Sequence, residues 1–392
     1  MLDINYIEKI YSLEENSVKD LEENPQGLFI HVEFKRKVHT CPFCSATTNK
    51  IKDYRLQKVK LDSMNHTTTF ALINKRRYVC PHCGKTFYEE ASIAGKYQRR
   101  SIKEVMNIIG ECANKQSFTD IAKRYCVSLP TVIRYFSKIT ISAPSALPEV
   151  LSIDEFKGNA AGQKYQVAIV DPATKRPLDI LPERNTDKII RYFLKNFTFS
   201  QRKKVILIVT DLSALFRKVI HTIFPCAKIV ADKFHVARLV TWAMERVRKR
   251  VQNEIKSERI YFKRSKYLLN KNQDKLKPEE VTKLETMLIK SKDLTKAYWL
   301  KETFKRLFKT DILNITRFLD QWLDLVASSK LVEFSSVLKT FKEWRSEILR
   351  SFISRYSNGY IEGHNNKIKV IKRISFGIKS LKILRLRVLY MA

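Results

Sequence analysis

No run of apolar residues in this 392-residue chain is long enough to span a membrane. The longest, Val205 to Val209, is far short of the ~18 to 20 residues that a spanning helix needs. The amino-terminal stretch MLDINYIEKIYSLEEN is polar and acidic, which excludes a secretory signal. Internal repeats and low-complexity tracts are lacking as well. Acid is scarce: 40 Asp and Glu stand against 74 Lys and Arg, a net charge of +34 with pI near 9.9. Such an excess repels itself unless a polyanion neutralises it, so nucleic acid is the favoured partner and no membrane is expected. With 44% hydrophobic residues the chain can bury an interior and is no disordered polycation. Its length calls for two or more domains.

Seven cysteines are present, and four fall in two CxxC pairs, Cys41-Pro-Phe-Cys44 and Cys80-Pro-His-Cys83, with 35 residues between them. In a reducing compartment disulfides are not expected. Each CxxC turn converges two thiolates on one metal, and two turns complete a tetrahedral four-cysteine site, so structural Zn2+ on Cys41, Cys44, Cys80 and Cys83 is expected. Two pairs argue against a redox CxxC. His39 and His82 are close in sequence, but four cysteines already fill the site. Lys35, Arg36, Lys37, Lys75, Arg76 and Arg77 flank the knuckles and could meet phosphate or form a solvated basic face. Cys112, Cys126 and Cys226 sit in apolar contexts and read as structural.

Alternation of period two in LFIHVEFKRKV and TTTFALINKRRYV argues for strands around the knuckles, giving a zinc-ribbon domain over 1–100. Residues 101–141 read as helices. Within them, SFTDIAKRYC followed by VSLPTVIRYF has the spacing of a helix-turn-helix DNA-binding domain. Ile121, Ala122 and Tyr125 form the packed face of the first helix, and Val132, Ile133 and Phe136 anchor the second. Pro130 suits a first helical turn. Thr131, Arg134, Tyr135 and Lys138 then face outward as candidate DNA contacts. An ordinary three-helix packing module is the plainer reading. SAPSALPEV, over 142–150, reads as a linker.

From Leu151 the pattern becomes strand, strand, strand, helix, strand, helix, strand. VLSIDEF opens it, KYQVAIVD and LDILPER form a hairpin, and TDKIIRYFLKNF is an amphipathic helix with Thr186 as its N-cap. VILIVTDL, the helix SALFRKVIHTIF and the strand AKIVADKFHV follow. Residues 238–350 are helical throughout, punctuated at Lys277-Pro278. The fold class expected is multidomain α+β and α/β. It combines a zinc ribbon, a helix-turn-helix and an RNase H-like mixed sheet over 151–392, with a long all-α insertion at 238–350.

In that topology the first and fourth strands are neighbours, which puts Asp154 and Asp211 side by side at one sheet edge. Lone carboxylates there repel, so divalent metal is the natural counter-charge. Two Mg2+ or Mn2+ ions suit an in-line displacement at phosphorus. Glu362, in SNGYIEGHNNKIKVIKR, supplies a third carboxylate from a helix that Ser357 or Asn358 can cap. Glu155, Asp171 and Asp179 compete less well, and Asp232 is the serious rival, since it ends the fifth strand. Residues 363–392 hold eight Lys and Arg and no acid. Asn365, Asn366, Lys369 and Arg373 lie at helical spacing from Glu362, so one face could meet both metal and DNA backbone. A solvated basic helix is the alternative. Trp242, Trp299, Trp322 and Trp344 read as helical core rather than as base-stacking groups.

Taken together, the CPxC pairs, the helix-turn-helix, SIDEF, VTDLS, ADKFH and YSNGYIEGHNNKIKVIKR resemble bacterial insertion-sequence transposases of the ISL3 family over nearly the whole chain. The resemblance implies a DDE catalytic domain with Asp154, Asp211 and Glu362 as the triad. Asp232 and His235 match a D-x-x-H element in a supporting place. It implies binding of double-stranded DNA at transposon inverted-repeat ends, metal-dependent strand cleavage, and transfer of the freed 3′-hydroxyls to target DNA. A homodimer on paired ends and a cytoplasmic, nucleoid-associated location are implied likewise. A DNA-binding regulator derived from a transposase, which binds ends without cleaving, is the alternative. A metal-dependent nuclease of the same fold would cut without strand transfer.

Overall fold

The computed structural model describes residues 4–63, 67–95, 98–255, 257, 259–264, 266–356 and 359–390. Two compact units emerge. One runs to Thr140 and takes in Ile371–Gly377; the other runs from Ile141 to Val370 and takes in Ile378–Tyr390.

The first unit opens with α1 (Ile4–Tyr11), an element that the strand-dominated sequence reading does not anticipate. Strands β1 (Val18–Asn24), β2 (Gly27–Val32), β3 (His39–Thr40), β4 (Thr47–Thr48), β5 (Ile51–Lys60), β6 (Thr69–Val79) and β7 (Thr86–Tyr88) follow. Its sheet is ordered β1-β2-β6-β5, with β7 also on β6, while β3 and β4 pair separately. Alternate residues of β6 face Ile30, Val32 and Val59, and Ala71 and Ile73 are fully buried there. The turn into β2 needs Gly27. At φ +139° a Cβ would stand 2.1 Å from the Thr68 carbonyl oxygen, so only glycine fits.

Helices α2 (Ile102–Glu111), α3 (Phe118–Arg124) and α4 (Leu129–Phe136) complete this unit. Ser117 and Asp120 cap α3 reciprocally. Cys126 turns the chain between α3 and α4 at φ 47°. Ile121, Val132 and Phe136 are fully buried. Two basic side chains hold this turn: Lys60 donates through Nζ to the Tyr125 carbonyl (3.0 Å), and Arg100 donates to that of Cys126 (3.5 Å).

The second unit is built on β8 (Val150–Ala160), β9 (Gln163–Asp171), β10 (Arg176–Leu181), β11 (Leu207–Thr210) and β12 (Lys228–Ala231). Interleaved are α5 (Thr186–Asn196), α6 (Phe199–Lys203) and α7 (Ala214–Ile223). Strand order is β10-β9-β8-β11-β12. The first two pairings are antiparallel and the last two parallel. Central strands covered on both faces read as apolar runs, and the first five residues of β8 are all buried. Leu151, Ile153, Ile208, Phe193, Phe216 and Ile220 form the core between sheet and helices. A close approach requires Gly158: a Cβ there would lie 1.7 Å from Gln166 Oε1. The buried Gln166 amide meanwhile donates to the carbonyls of Ala160, Gln163 and Pro182.

The rest is helical: α8 (Lys233–Glu254), α9 (Arg259–Arg264), α10 (Lys266–Asn270), α11 (Pro278–Ile289), α12 (Lys292–Arg306), α13 (Ile315–Ser328), α14 (Ser335–Glu343), α15 (Arg345–Ile353), α16 (Gly359–Ile374) and α17 (Leu381–Tyr390). A second core runs through α8, α12, α13 and α14, with Val240, Met244, Phe304, Trp322 and Phe341 at its centre. The helical expectation holds for Trp322 and Trp344, both buried, whereas Trp242 and Trp299 are 51% and 42% exposed.

Several local expectations are corrected. Asn185, not Thr186, caps α5, because the extended Asn185 turns its side-chain oxygen onto the amides of Asp187 and Lys188. The expected strand AKIVADKFHV stops at Ala231, and Lys233 onward is helix, because Asp232 caps α8 and accepts from the Phe234 amide at 3.3 Å. Helix therefore starts before residue 238. Arg76 is buried between Glu33 (2.7 Å) and Glu89 (3.6 Å), so it cannot meet phosphate. Of the three cysteines outside the pairs, Cys112 is buried, while Cys126 and Cys226 are exposed. Ser357 and Asn358, expected as caps of α16, lie outside the described residues. Among the described residues, no helix is long and apolar enough to cross a membrane.

Candidate active site and zinc centre

The two CxxC turns bring four sulfurs together. All four Sγ atoms lie within 4.8 Å of one another, with Cys41 3.7 Å from Cys83 and Cys44 3.5 Å from Cys80. A tetrahedral zinc with bonds of ~2.3 Å needs sulfur edges of ~3.8 Å, so the donor set fits Zn2+. Backbone amides of Cys83 and His82 point at Cys80 and pull its thiol down to about 6, which favours the ligating thiolate. His39 instead packs against Tyr78, with ring centroids 4.5 Å apart and planes inclined at 46°.

In the second unit, strand register aligns the acids. Thr210 on β11 pairs with Ile153 on β8 and with Ala231 on β12. Each partner is followed directly by an aspartate, so Asp154, Asp211 and Asp232 occupy one row across three adjacent parallel strands. Neighbouring strands are ~4.8 Å apart, which sets the scale of the spacing. Asp154 is 8% and Asp232 3% exposed.

Their environment is short of positive charge. Burial, then the negative charge of Asp211, pushes the Asp154 carboxyl up to about 7. Burial likewise raises Asp211, opposed by His235 and Arg184. Asp232 Oδ2 holds His235 Nδ1 at 2.5 Å, and that bond raises the imidazole pKa. Glu155 pairs with Arg184. Asp171 accepts from its own turn, at Ala173 and Thr174, and Asp179 binds Arg385.

Helix α16 supplies the remaining groups. Ile361, His364, Asn365 and Ile368 form its buried face, and Glu362, Asn366, Lys369 and Arg373 are exposed. Asn365 donates through Nδ2 to Asp154 Oδ2 at 2.9 Å. Glu362 stands one turn before it, on the neighbouring stripe. Among the described residues, the cysteines alone bring three or more ligand atoms of this kind within 4.8 Å of one another, so the three acids of the expected triad are not drawn that close. Lys369 donates to Asn366 Oδ1 at 3.1 Å. The sequence reading missed the contact of Asn365 with Asp154, the cation Arg184, and the buried His364. An amide at i+4 from Ile361 and i−3 from Ile368, inside an apolar stripe, was the available signal for Asn365.

A divalent cation fits this set on its own chemistry. Asp211 Oδ1 and Asn365 Oδ1 are buried without a hydrogen-bond partner. Hard cations are bound by such oxygens.

Arg134 on α4 and Lys138, two residues past its end, are exposed, with Thr131 and Tyr135 half-buried. Arg134 and Lys138 flank the Tyr135 ring at 5.5 and 5.9 Å.

The profile of a transposase family, ISL3, matches residues 151–388, and that of a zinc-finger of transposases IS204/IS1001/IS1096/IS1165 matches residues 37–83. The transposase for insertion sequence element IS1001 of Bordetella parapertussis is 24% identical over 390 residues, covering 97% of this chain and 96% of the relative. The transposase for insertion sequence element IS1557 of Mycobacterium tuberculosis is 27% identical over 180 residues, 40% of each chain.

Proposed function

The chain belongs to the ISL3 family of transposases, and from that premise we propose that it is a DDE enzyme that binds transposon ends, cleaves them and joins them to target DNA. One observation carries the reading: Asp154, within β8, and Asp211, directly after β11, follow the last parallel pair Ile153–Thr210 in register, and α16 meets Asp154 one turn beyond Glu362. The strand order is that expected of an RNase H-like core, and α8–α15 are its all-α insertion. Asp154, Asp211 and Glu362 are the catalytic carboxylates, which would hold two Mg2+ or Mn2+ ions. Bound there, the ions would activate the attacking hydroxyl and steady the leaving oxygen of an in-line displacement.

The chain's own residues set the charge balance. Asp232 fixes the His235 ring and raises its pKa, and a charged His235 favours ionised Asp154 and Asp211. Arg184 does the same for Asp211 from the side of Glu155. Exposed Lys369 and Arg373, with Asn366, lie on the stripe of Glu362 and would meet the DNA backbone. In the first unit, α3 and α4 act as a helix-turn-helix whose Thr131, Arg134, Tyr135 and Lys138 meet the end sequence, and the zinc ribbon supports it. A homodimer on paired ends in the bacterial nucleoid completes the proposal.

The test uses linear DNA carrying the inverted repeats that flank the gene. Wild type should cut it with Mg2+ or Mn2+ and transfer the ends, and Asp154→Asn should bind it without cutting. Binding of the ends with no cleavage by wild type in either metal would instead identify a regulator, and cutting without end transfer a nuclease.

A further inference from the structure

The buried face of α16 contains a polar atom that the fold leaves without a partner. Ile361 and Ile368, 1% and 0% exposed, anchor the helix against the core. Between them Asn365 is 7% exposed, and its amide has two ends in different situations. Nδ2 donates to Asp154 Oδ2 at 2.9 Å; Oδ1 is buried and accepts nothing. An amide oxygen buried without a donor costs ~1–3 kcal/mol, and Asp211 Oδ1 is in the same condition. Two donors near them are engaged elsewhere, the Glu155 amide on Asp154 Oδ1 at 2.8 Å and Arg184 on Glu155 and Ser213, while Thr210 Oγ1 and His364 Nε2 are buried without a partner too.

We propose that Asn365 is a neutral oxygen ligand of the divalent-cation site, in addition to the three acids. The proposal rests on the metal-dependent reading above. Rotation about χ2 exchanges Nδ2 for Oδ1 on the same side chain, so one residue can either donate to Asp154 or present an oxygen beside it. An asparagine suits this place better than a fourth acid. Asp154, Asp211 and Asp232 already share one row, and a further negative charge would add to their repulsion. The amide adds an oxygen without adding charge.

Mn2+ binding to the full-length chain, measured by titration calorimetry, tests this without reference to turnover. Asn365→Leu keeps the volume and removes the oxygen, and it should weaken Mn2+ at least ~10-fold. Asn365→Asp restores an oxygen but no donor, and it should bind Mn2+ at least as tightly as wild type. If Asn365→Asp loses as much affinity as Asn365→Leu, the residue serves only as a donor to Asp154, and the ligand assignment is overturned. Unchanged binding by Asn365→Leu overturns it as well. Should the leucine variant fail to fold, the aspartate variant decides the matter alone. Asp154→Asn separates the two levels of the argument: if it binds Mn2+ as wild type does, or wild type binds none, the metal reading itself fails. If Asp154→Asn abolishes binding while Asn365→Leu does not, only the role of Asn365 falls.

Discussion

Arg385 on α17 clamps the carboxylate of Asp179 on β10, with Nε 2.5 Å from Oδ1 and a terminal nitrogen 3.2 Å from Oδ2. Asp179 is 2% exposed, and Tyr192 of α5 donates to it as well at 2.6 Å. The last helix, an edge strand and the first helix after it therefore meet at one buried charge. Breaking such a pair from one side strands a buried ion. Arg385→Met is expected to cost about 3 kcal/mol in urea unfolding followed by circular dichroism. The double variant Arg385→Met, Asp179→Leu should recover part of that loss, since no charge is then left unpaired.

Zinc should be stoichiometric and structural. One zinc per chain is expected by atomic absorption, lost in Cys80→Ser, because removal of one thiolate opens the tetrahedron. Chelation of wild type should lower the thermal midpoint to that of the variant. A wild-type chain that purifies without zinc and melts unchanged by chelator would refute the site.

Glu104 on α2 makes the first unit pH-sensitive. It is 1% exposed, and burial raises its carboxyl from an ordinary 4.5 to about 7, although Arg100 donates to it at 2.7 Å. The folded state thus keeps a proton that the unfolded chain releases. That contribution to stability is complete below 4.5 and is lost as pH rises through about 7. Urea midpoints at about pH 5 and about pH 8 should differ less in Glu104→Gln than in wild type.

The four tryptophans should divide by burial. Trp322 is fully buried, donates to the Leu300 carbonyl at 2.8 Å and packs 5.0 Å from the Phe304 ring. Trp322→Ala is expected to cost about 3–5 kcal/mol, read as a shift of the unfolding midpoint. Trp242→Ala, at a half-exposed position, should stay within about 0.5 kcal/mol of wild type.

The exposed cations on α4 and just after it should be distinguishable by salt. Lys138→Ala should weaken DNA binding evenly across sequences and reduce the salt slope by about 1, as loss of one phosphate contact does. Arg134→Ala should also relax preference for the end sequence if its guanidinium reads a base edge. Gel-shift titrations on end and scrambled DNA over a salt series separate the two. Equal effects of both variants on both DNAs would remove Arg134 from sequence reading.

The features legible in the sequence are those that need only spacing or composition. Two CxxC turns dictate a four-sulfur site because each turn fixes its own pair, and the apolar runs leading to Asp154, Asp211 and Asp232 show themselves by their pattern, although β8 continues past Asp154 to Ala160. Charge excess indicates the polyanionic partner without any fold. Local competition defeated the sequence at finer scale. Asn185 captured the cap expected of Thr186, and Asp232 turned the end of a strand into the start of α8. Long-range contact was beyond it altogether. Asn365 and Asp154 are 211 residues apart, and no periodicity links them. Exposure on α16 separates Asn365, turned inward, from Asn366, turned out, although the two are adjacent and identical in type. Which acids share a row was decided by hydrogen-bond register between β8, β11 and β12, and register is a property of paired strands, not of any one of them.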